Sequence, residues 1–235
     1  MKISELKRGL IVSCQATPEE PMRDSAIIGR FALAAEIGGA VAVRVNGMAD
    51  ILAAKQLINI PLIGLIKHQF PGYWCYITPV LRDVESVYHT GAEIVAVDAT
   101  SLPKPGGLST ESFIREIKKR FPDLLLMGDI STLDEGLAAE QAGADLLSTT
   151  LAGYTPHTKS SDMSTIIELQ PPDVDLVGQL AQRVKVPVVA EGRYWDETFA
   201  IQAFEAGAHN VVIGAGITRP QIITQKIVCK LQPYL

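Results

Sequence analysis

Hydrophobic and polar positions alternate along this chain in two rhythms. Segments such as "SAIIGRFALAAEI" from Ser25 and "DETFAIQAFEA" from Asp196 place apolar residues at three- and four-residue spacing, the pattern of a helix with one buried face. Between such segments lie short aliphatic runs. One phrase recurs as "GGAVAVRV" from Gly38, "GAEIVAVD" from Gly91, "GADLLSTT" from Gly143 and "GAHNVVIG" from Gly207. In each, glycine ends a helical segment and a β-branched run begins, as expected of a buried strand. A second phrase alternates with the first: "NIPLIGLIK", "RFPDLLLMGD" and "KVPVVAEGR", with proline at the strand entrance.

With the opening run "RGLIVSCQ", the two phrases predict eight strands, over 9–15, 41–46, 62–67, 94–99, 124–129, 145–150, 187–191 and 210–214. Helical patterns separate them. Strand–helix alternation implies parallel strands joined by crossover helices. In 235 residues, eight such units predict a single domain, a closed (β/α)8 TIM barrel over 1–235. The alternative, an open doubly wound sheet, lacks its usual support, because no glycine-rich dinucleotide turn follows the first strand.

Composition narrows the function. Hydrophobic residues make up 47% and charged residues 20%, enough for a substantial core. The net charge of -5 argues against bulk attraction to nucleic acid or anionic membranes. Cys14, Cys75 and Cys229 are widely spaced and odd in number, which suits free thiols better than a disulfide scaffold or zinc cluster. The start "MKISELKRG" lacks the apolar stretch of a signal peptide, so a cytoplasmic location is expected. His68 and His157 follow strands but show no ligand spacing, while His89 and His209 fall near helix ends, and no metal site is expected.

Active sites of such barrels lie at the C-terminal ends of the strands. There the chain places Gln15, Arg44 with Asn46, Lys67, Asp98, Asp129, Ser148 to Thr150, and Glu191 with Arg193. Singly, each has a bland explanation: a lysine can snorkel from a strand end, and an aspartate can cap the loop it opens. For Asp98 the capping role is the preferred one. Their convergence on one rim points to a pocket. Tyr73, Trp74 and Tyr76 after strand three, and Tyr154 in "LAGYTPHT", stand where they can cover it or pack over the barrel.

The last strand runs into "VVIGAGITRP", a glycine-rich turn expected to lead into a helix beginning at Thr218 and Arg219. Free amides at such a start suit an anion, and "AEGR" from Ala190 supplies the neighbouring loop. A phosphate grip, an amine and a carboxylate, with no cofactor motif, suit proton abstraction beside a carbonyl. They equally suit a Schiff-base lysine. The residues alone therefore describe a phosphosugar isomerase or lyase, with a non-catalytic sugar-binding barrel as the remaining alternative.

Family resemblance goes further. The motifs "GLIVSCQA", "VAVRVNG", "IGLIK" followed by "YITP", "IVAVDAT", "GDIST", "LAGYT", "VVAEGR" and "GAGITRP" span the chain. Together they resemble the N-acetylmannosamine-6-phosphate 2-epimerases of bacterial sialic acid catabolism. The resemblance implies cofactor-free interconversion of N-acetylmannosamine 6-phosphate and N-acetylglucosamine 6-phosphate. It makes Lys67 the proton-transfer residue at C2 and Glu191 the second catalytic group. Gln15, Arg44, Asp129 and Tyr154 are then expected to hold the sugar, and Gly192, Arg193, Gly214, Gly216 and Arg219 the phosphate. A homodimer is also expected. Two places depart from the family pattern: His68 and Gln69 replace an arginine and an acidic residue, and the loop over 157–173 is long.

Overall fold

In a computed structural model, which describes residues 1–159 and 170–234, eight parallel strands close into a barrel in chain order. They are β1 (Gly9–Cys14), β2 (Ala42–Asn46), β3 (Leu62–Leu65), β4 (Ile94–Asp98), β5 (Leu125–Asp129), β6 (Leu146–Ser148), β7 (Val188–Ala190) and β8 (Asn210–Ile213). Closure is made by β1 against β8, with Ile11 opposite Val212. Around the strands run α1 (Ser25–Ile37), α2 (Met48–Lys55), α3 (Leu81–Tyr88), α4 (Thr110–Arg120), α5 (Leu133–Ala142), α6 (Val174–Arg183), α7 (Glu197–Glu205), the short α8 (Ala215–Thr218) and α9 (Pro220–Leu231). Capping residues start several of them: Asp24 accepts from the amides of Ala26 and Ile27, and Thr132 and Glu135 form a reciprocal capping box on α5.

Successive strand residues face opposite ways, and the two faces bury separate cores. Ile11, Ala42, Ile63, Leu65, Ile94, Ala96, Met127, Leu146, Val189 and Val212 fill the barrel interior, with Leu6 below them. Val12, Val43, Val45, Val95, Val97, Leu126, Leu147 and Val211 pack outward against the helices. The inward set matters for function. Two residues past Ile11, Ala42, Leu65, Ala96, Met127, Leu146 and Val189 come Ser13, Arg44, Lys67, Asp98, Asp129, Ser148 and Glu191. The polar residues converge on one mouth because each continues the inward period of its own strand.

Strand three is shorter than its aliphatic run suggests, ending at Leu65 rather than Lys67. The chain folds back, and Ile77 forms an antiparallel bridge to Lys67. Thr78 donates its amide to the Ile66 carbonyl at 2.7 Å, and Asp98 donates its amide to the Ile77 carbonyl at 2.8 Å. The returning segment thus enters the gap between β3 and β4, where direct pairing is confined to Ile63–Ile94 and Gly64–Val95.

β6 likewise ends at Ser148 rather than at 150, and a further difference lies after β8. A helical turn begins at Ala215, three residues earlier than expected, and Pro220 opens a second helix. No residue of α9 is buried, and Ile227, Val228 and Leu231 are all exposed. Among the described residues, no helix is long and apolar enough to cross a membrane.

Candidate active site

A cavity of about 260 Å³ occupies the barrel mouth. Gln15, Arg44, Lys67, Tyr154, Glu191, Gly192, Arg193, Gly214 and Arg219 all line it. Two expected residues do not: Asp129 lies beneath Arg44, and Gly216 packs just outside.

Arg44 is the floor. Its guanidinium is 1% exposed and makes a two-point contact with Asp129, Nη1–Oδ1 at 3.0 Å and Nη2–Oδ2 at 2.6 Å. Nη1 also donates to Glu191 Oε2 at 2.5 Å and Thr150 Oγ1 at 3.1 Å. Thr150 donates to Asp129 at 2.8 Å, and Ser148 donates to Glu191 at 3.2 Å. Burial alone favours a neutral guanidine, but Asp129 and Glu191 outweigh it and hold Arg44 above its ordinary pKa. Burial pushes the Asp129 carboxyl up, with Arg44 pulling against it and Glu191 adding to the rise.

Lys67 stands above this floor. Its main-chain amide donates to Asn46 Oδ1 at 2.8 Å, so β2 on one side and the Ile77 bridge on the other fix its backbone. The side chain meets solvent through the cavity mouth but has protein around it elsewhere. This surround is the main reason its pKa falls from 10.5 to about 8. Arg44 and Arg219 push the same way, while Glu191 and Glu20 oppose them. Beside it, Gln15 donates to Ser13 Oγ at 2.9 Å, and its own buried Oε1 has no partner within the protein. A buried acceptor left without a partner costs free energy until a donor N–H or O–H reaches it.

The opposite rim is built from backbone. Gly192 has φ +101° and Arg193 φ +64°, a left-handed pair that turns the chain sharply after β7. The Arg193 guanidinium faces away, donating to the carbonyls of Ala152 and Pro171 and lying 5.6 Å from the Tyr154 ring centre. Arg193 therefore presents its main chain to the cavity and ties its loop to the one after β6. Gly216 is packed so closely that a Cβ would stand 2.2 Å from the Trp195 carbonyl oxygen. Thr218 is not a free donor: its amide bonds the Gly214 carbonyl at 2.9 Å and its hydroxyl the Ser13 carbonyl at 2.7 Å. Earlier in the turn, α8 leaves the amides of Ala215 and Gly216 without acceptors of its own. Arg219 leans over this rim, held by Glu20 at 3.1 Å.

Several neighbours escape a sequence reading. Ser13 and Trp195 line the cavity and Glu20 holds Arg219, whereas Tyr76 and Asn46, both expected at the mouth, line the cavity and hold the Lys67 amide respectively. Period-two counting back from Gln15 finds Ser13. Nothing local marks Glu20 or Trp195, which arrive through loop folding. Asp98 behaves as a loop cap: Oδ1 accepts from Thr100 N, Thr100 Oγ1 and the buried Lys104 Nζ, the last at 3.1 Å. His68 contacts Asp83 at 3.1 Å on α3, and Gln69 donates to the Tyr73 carbonyl at 2.7 Å. The long loop lies largely outside the described residues.

Comparison with known proteins finds relatives over nearly the whole chain. The family model described as "Putative N-acetylmannosamine-6-phosphate epimerase" matches residues 28–233. A protein of Caldanaerobacter subterraneus subsp. tengcongensis named "Putative N-acetylmannosamine-6-phosphate 2-epimerase" is 50% identical over 226 residues, covering 96% of this chain and 92% of its own. A protein of the same name from Clostridioides difficile is 40% identical, covering 96% and 97%. The solved N-acetylmannosamine-6-phosphate 2-epimerase from Clostridium perfringens superimposes with a TM-score of 0.89 at 39% identity, over 97% of this chain and 96% of that one. Thiamine phosphate pyrophosphorylase from Pyrococcus furiosus, at 17% identity and a TM-score of 0.58, shares the fold alone. By the length and identity of these matches, the chain belongs to the N-acetylmannosamine-6-phosphate 2-epimerase family.

Proposed function

We propose that this protein interconverts N-acetylmannosamine 6-phosphate and N-acetylglucosamine 6-phosphate by removing and returning the proton at C2. The observation that carries the mechanism is a lysine amine, its pKa lowered to about 8, standing in a cavity with a backbone-lined rim across from it. At pH 7 roughly a tenth of such amines are neutral, enough for a base to act without a cofactor.

Chemistry orders the steps. C2–H is acidic only when C1 is a carbonyl, so the sugar ring must open first. Glu191 takes the C1 hydroxyl proton and passes it to the ring oxygen as the C1–O5 bond breaks. Lys67 then takes the C2 proton, the charge of Arg44 stabilises the enolate, and return of a proton to the opposite face of C2 followed by ring closure gives the epimer. Gln15, Arg44 with Asp129 behind it, and Tyr154 hold the sugar. The phosphate rests on Gly192, the main chain of Arg193, the Gly214–Gly216 turn and Arg219. We place the enzyme in the cytoplasm and expect a homodimer, the uncovered apolar residues of α9 being the support for self-association.

Proton NMR of N-acetylmannosamine 6-phosphate with the enzyme in deuterated water tests the function. Appearance of the 2-epimer with deuterium at C2 is expected. Covalent trapping of substrate on Lys67 by borohydride would instead favour a Schiff-base lyase.

A further inference from the structure

The loop after β1 is tied to the chain after β8, and Glu20 makes the tie. Its Oε1 accepts from Arg219 Nε at 3.1 Å and from Gln221 Nε2 at 2.8 Å. Its Oε2 accepts from the Thr17 amide at 2.6 Å. Gln221 keeps its amide turned to Glu20 although its own buried Oε1 then has no partner. Glu20 occupies only the Nε edge of the Arg219 guanidinium, and Arg219 lines the main cavity. We propose that Glu20 is a positioning residue, holding Arg219 by one edge so that its outer nitrogens meet the 6-phosphate of the substrate.

The inference rests on the epimerase reading. Two effects of Glu20 oppose each other, which makes the sign of a substitution informative. A carboxylate near an incoming phosphate repels it, and by that effect alone removing the charge would tighten binding. Holding a long side chain in place beforehand spares the entropy of ordering it when the ligand arrives. Glu20 and the phosphate meet different edges of one guanidinium, so the cation between them offsets their repulsion and the ordering effect wins. The loop itself does not hang on Glu20. Arg23 and Ser25 anchor its far end on Asp50, at 3.1 and 2.5 Å, and Asp24 caps α1. Lys67 supplies a second readout. Burial is the main influence on its amine; of the charges around it, Arg44 and Arg219 lower its pKa, while Glu191 and Glu20 raise it.

The test compares wild type, Glu20→Gln, Arg219→Gln and the double variant. Calorimetry with an equilibrated mixture of the two 6-phosphate epimers gives affinity, and initial rates across pH give kcat and KM. Glu20→Gln should raise KM and weaken binding by roughly 3- to 10-fold, the cost of ordering one long side chain. Its kcat on the alkaline plateau should hold. Arg219→Gln should lose more, and adding Glu20→Gln to it should lose nothing further, because Glu20 acts through Arg219. The rising limb of kcat/KM should move to lower pH in Glu20→Gln and to higher pH in Arg219→Gln. Unchanged or tighter phosphosugar binding in Glu20→Gln would overturn the proposal, as would additive losses in the double variant. An equal loss for phosphorylated and plain sugar, with a lowered melting temperature, would overturn it in favour of a purely structural role. A wild type that binds the phosphosugars without interconverting them would overturn the epimerase reading alone, and the binding arm would still decide Glu20. A wild type that binds neither would overturn both.

Discussion

Arg44 and Asp129 face each other at the floor of the barrel mouth in a two-point contact, 2.6 and 3.0 Å, with both side chains out of water. Removing one member leaves the other charge buried and half-paired, which costs about 3–5 kcal/mol. Asp129→Asn should lower the urea midpoint accordingly at unchanged m-value. Arg44→Met combined with Asp129→Leu should recover only part of that stability, because Glu191 then loses its own partner at Arg44. The double variant should nevertheless be inactive. A loss below about 1 kcal/mol for Asp129→Asn would show that the pair is not the floor of the site.

Lys67 makes both stability and rate depend on pH. Its pKa is about 8 in the folded protein against a reference of 10.5, so folding disfavours its proton. The resulting destabilisation is fully present below pH 8 and disappears between about 8 and 10.5. Because the side chain opens to solvent, that penalty is small, and Lys67→Met should melt only slightly higher than wild type at pH 7, with the gain shrinking as pH rises through that window. The wild-type rate should rise with pH along a limb near 8, as the neutral amine accumulates. Equal melting temperatures for the two proteins at pH 7, together with a rate flat between pH 6 and 9, would contradict this account.

Legibility in the sequence followed the strand period. Inward alternation is a local property, so all eight strands and the residues at their C-terminal ends could be placed from pattern alone. Lys67 was found because a charge interrupts an aliphatic run. The end of β3 was placed two residues late, because the aliphatic run continues after a returning segment has taken over its hydrogen bonds. Trp195 and Glu20 reach the site through loop geometry, which leaves no periodic trace. Arg193 illustrates the opposite limit: its position was legible, but the direction of its guanidinium depends on the carbonyls of Ala152 and Pro171 from other loops.

The phosphate rim predicts a split between phosphorylated and plain sugars. A charged hydrogen bond is worth about 1.5–3 kcal/mol, roughly a 10- to 100-fold effect. Arg219→Gln should raise KM for the 6-phosphate by that factor while leaving the weak binding of the unphosphorylated sugar unchanged. Gly216→Ala should do at least as much, since its Cβ would sit 2.2 Å from the Trp195 carbonyl oxygen and the turn must shift. Calorimetric titration with both sugars decides it. An equal loss for both would mean that these residues only support the fold.

The sharpest prediction concerns the amine itself. Lys67 ends an aliphatic run because its side chain must enter the mouth beside the reacting carbon. Asn46 and Ile77 hold its backbone, and the surrounding protein keeps its proton loosely bound. General base catalysis is worth roughly 10²- to 10⁴-fold. Lys67→Ala should lose at least that much turnover while staying folded and still binding the phosphosugar. Lys67→Arg should not restore the rate, because a guanidinium stays protonated at working pH. Lys67→Ala with added ethylamine offers the positive control: a free amine fills the space and should return a measurable fraction of the rate, with a pH limb moved toward that of the added amine. Solvent deuterium at C2 should accompany every turnover that the wild type completes, unless the shielded amine returns the same proton before it exchanges. Comparing deuterium uptake with epimer formation over time separates those cases. Turnover of Lys67→Ala near the wild-type level would remove Lys67 from the chemistry.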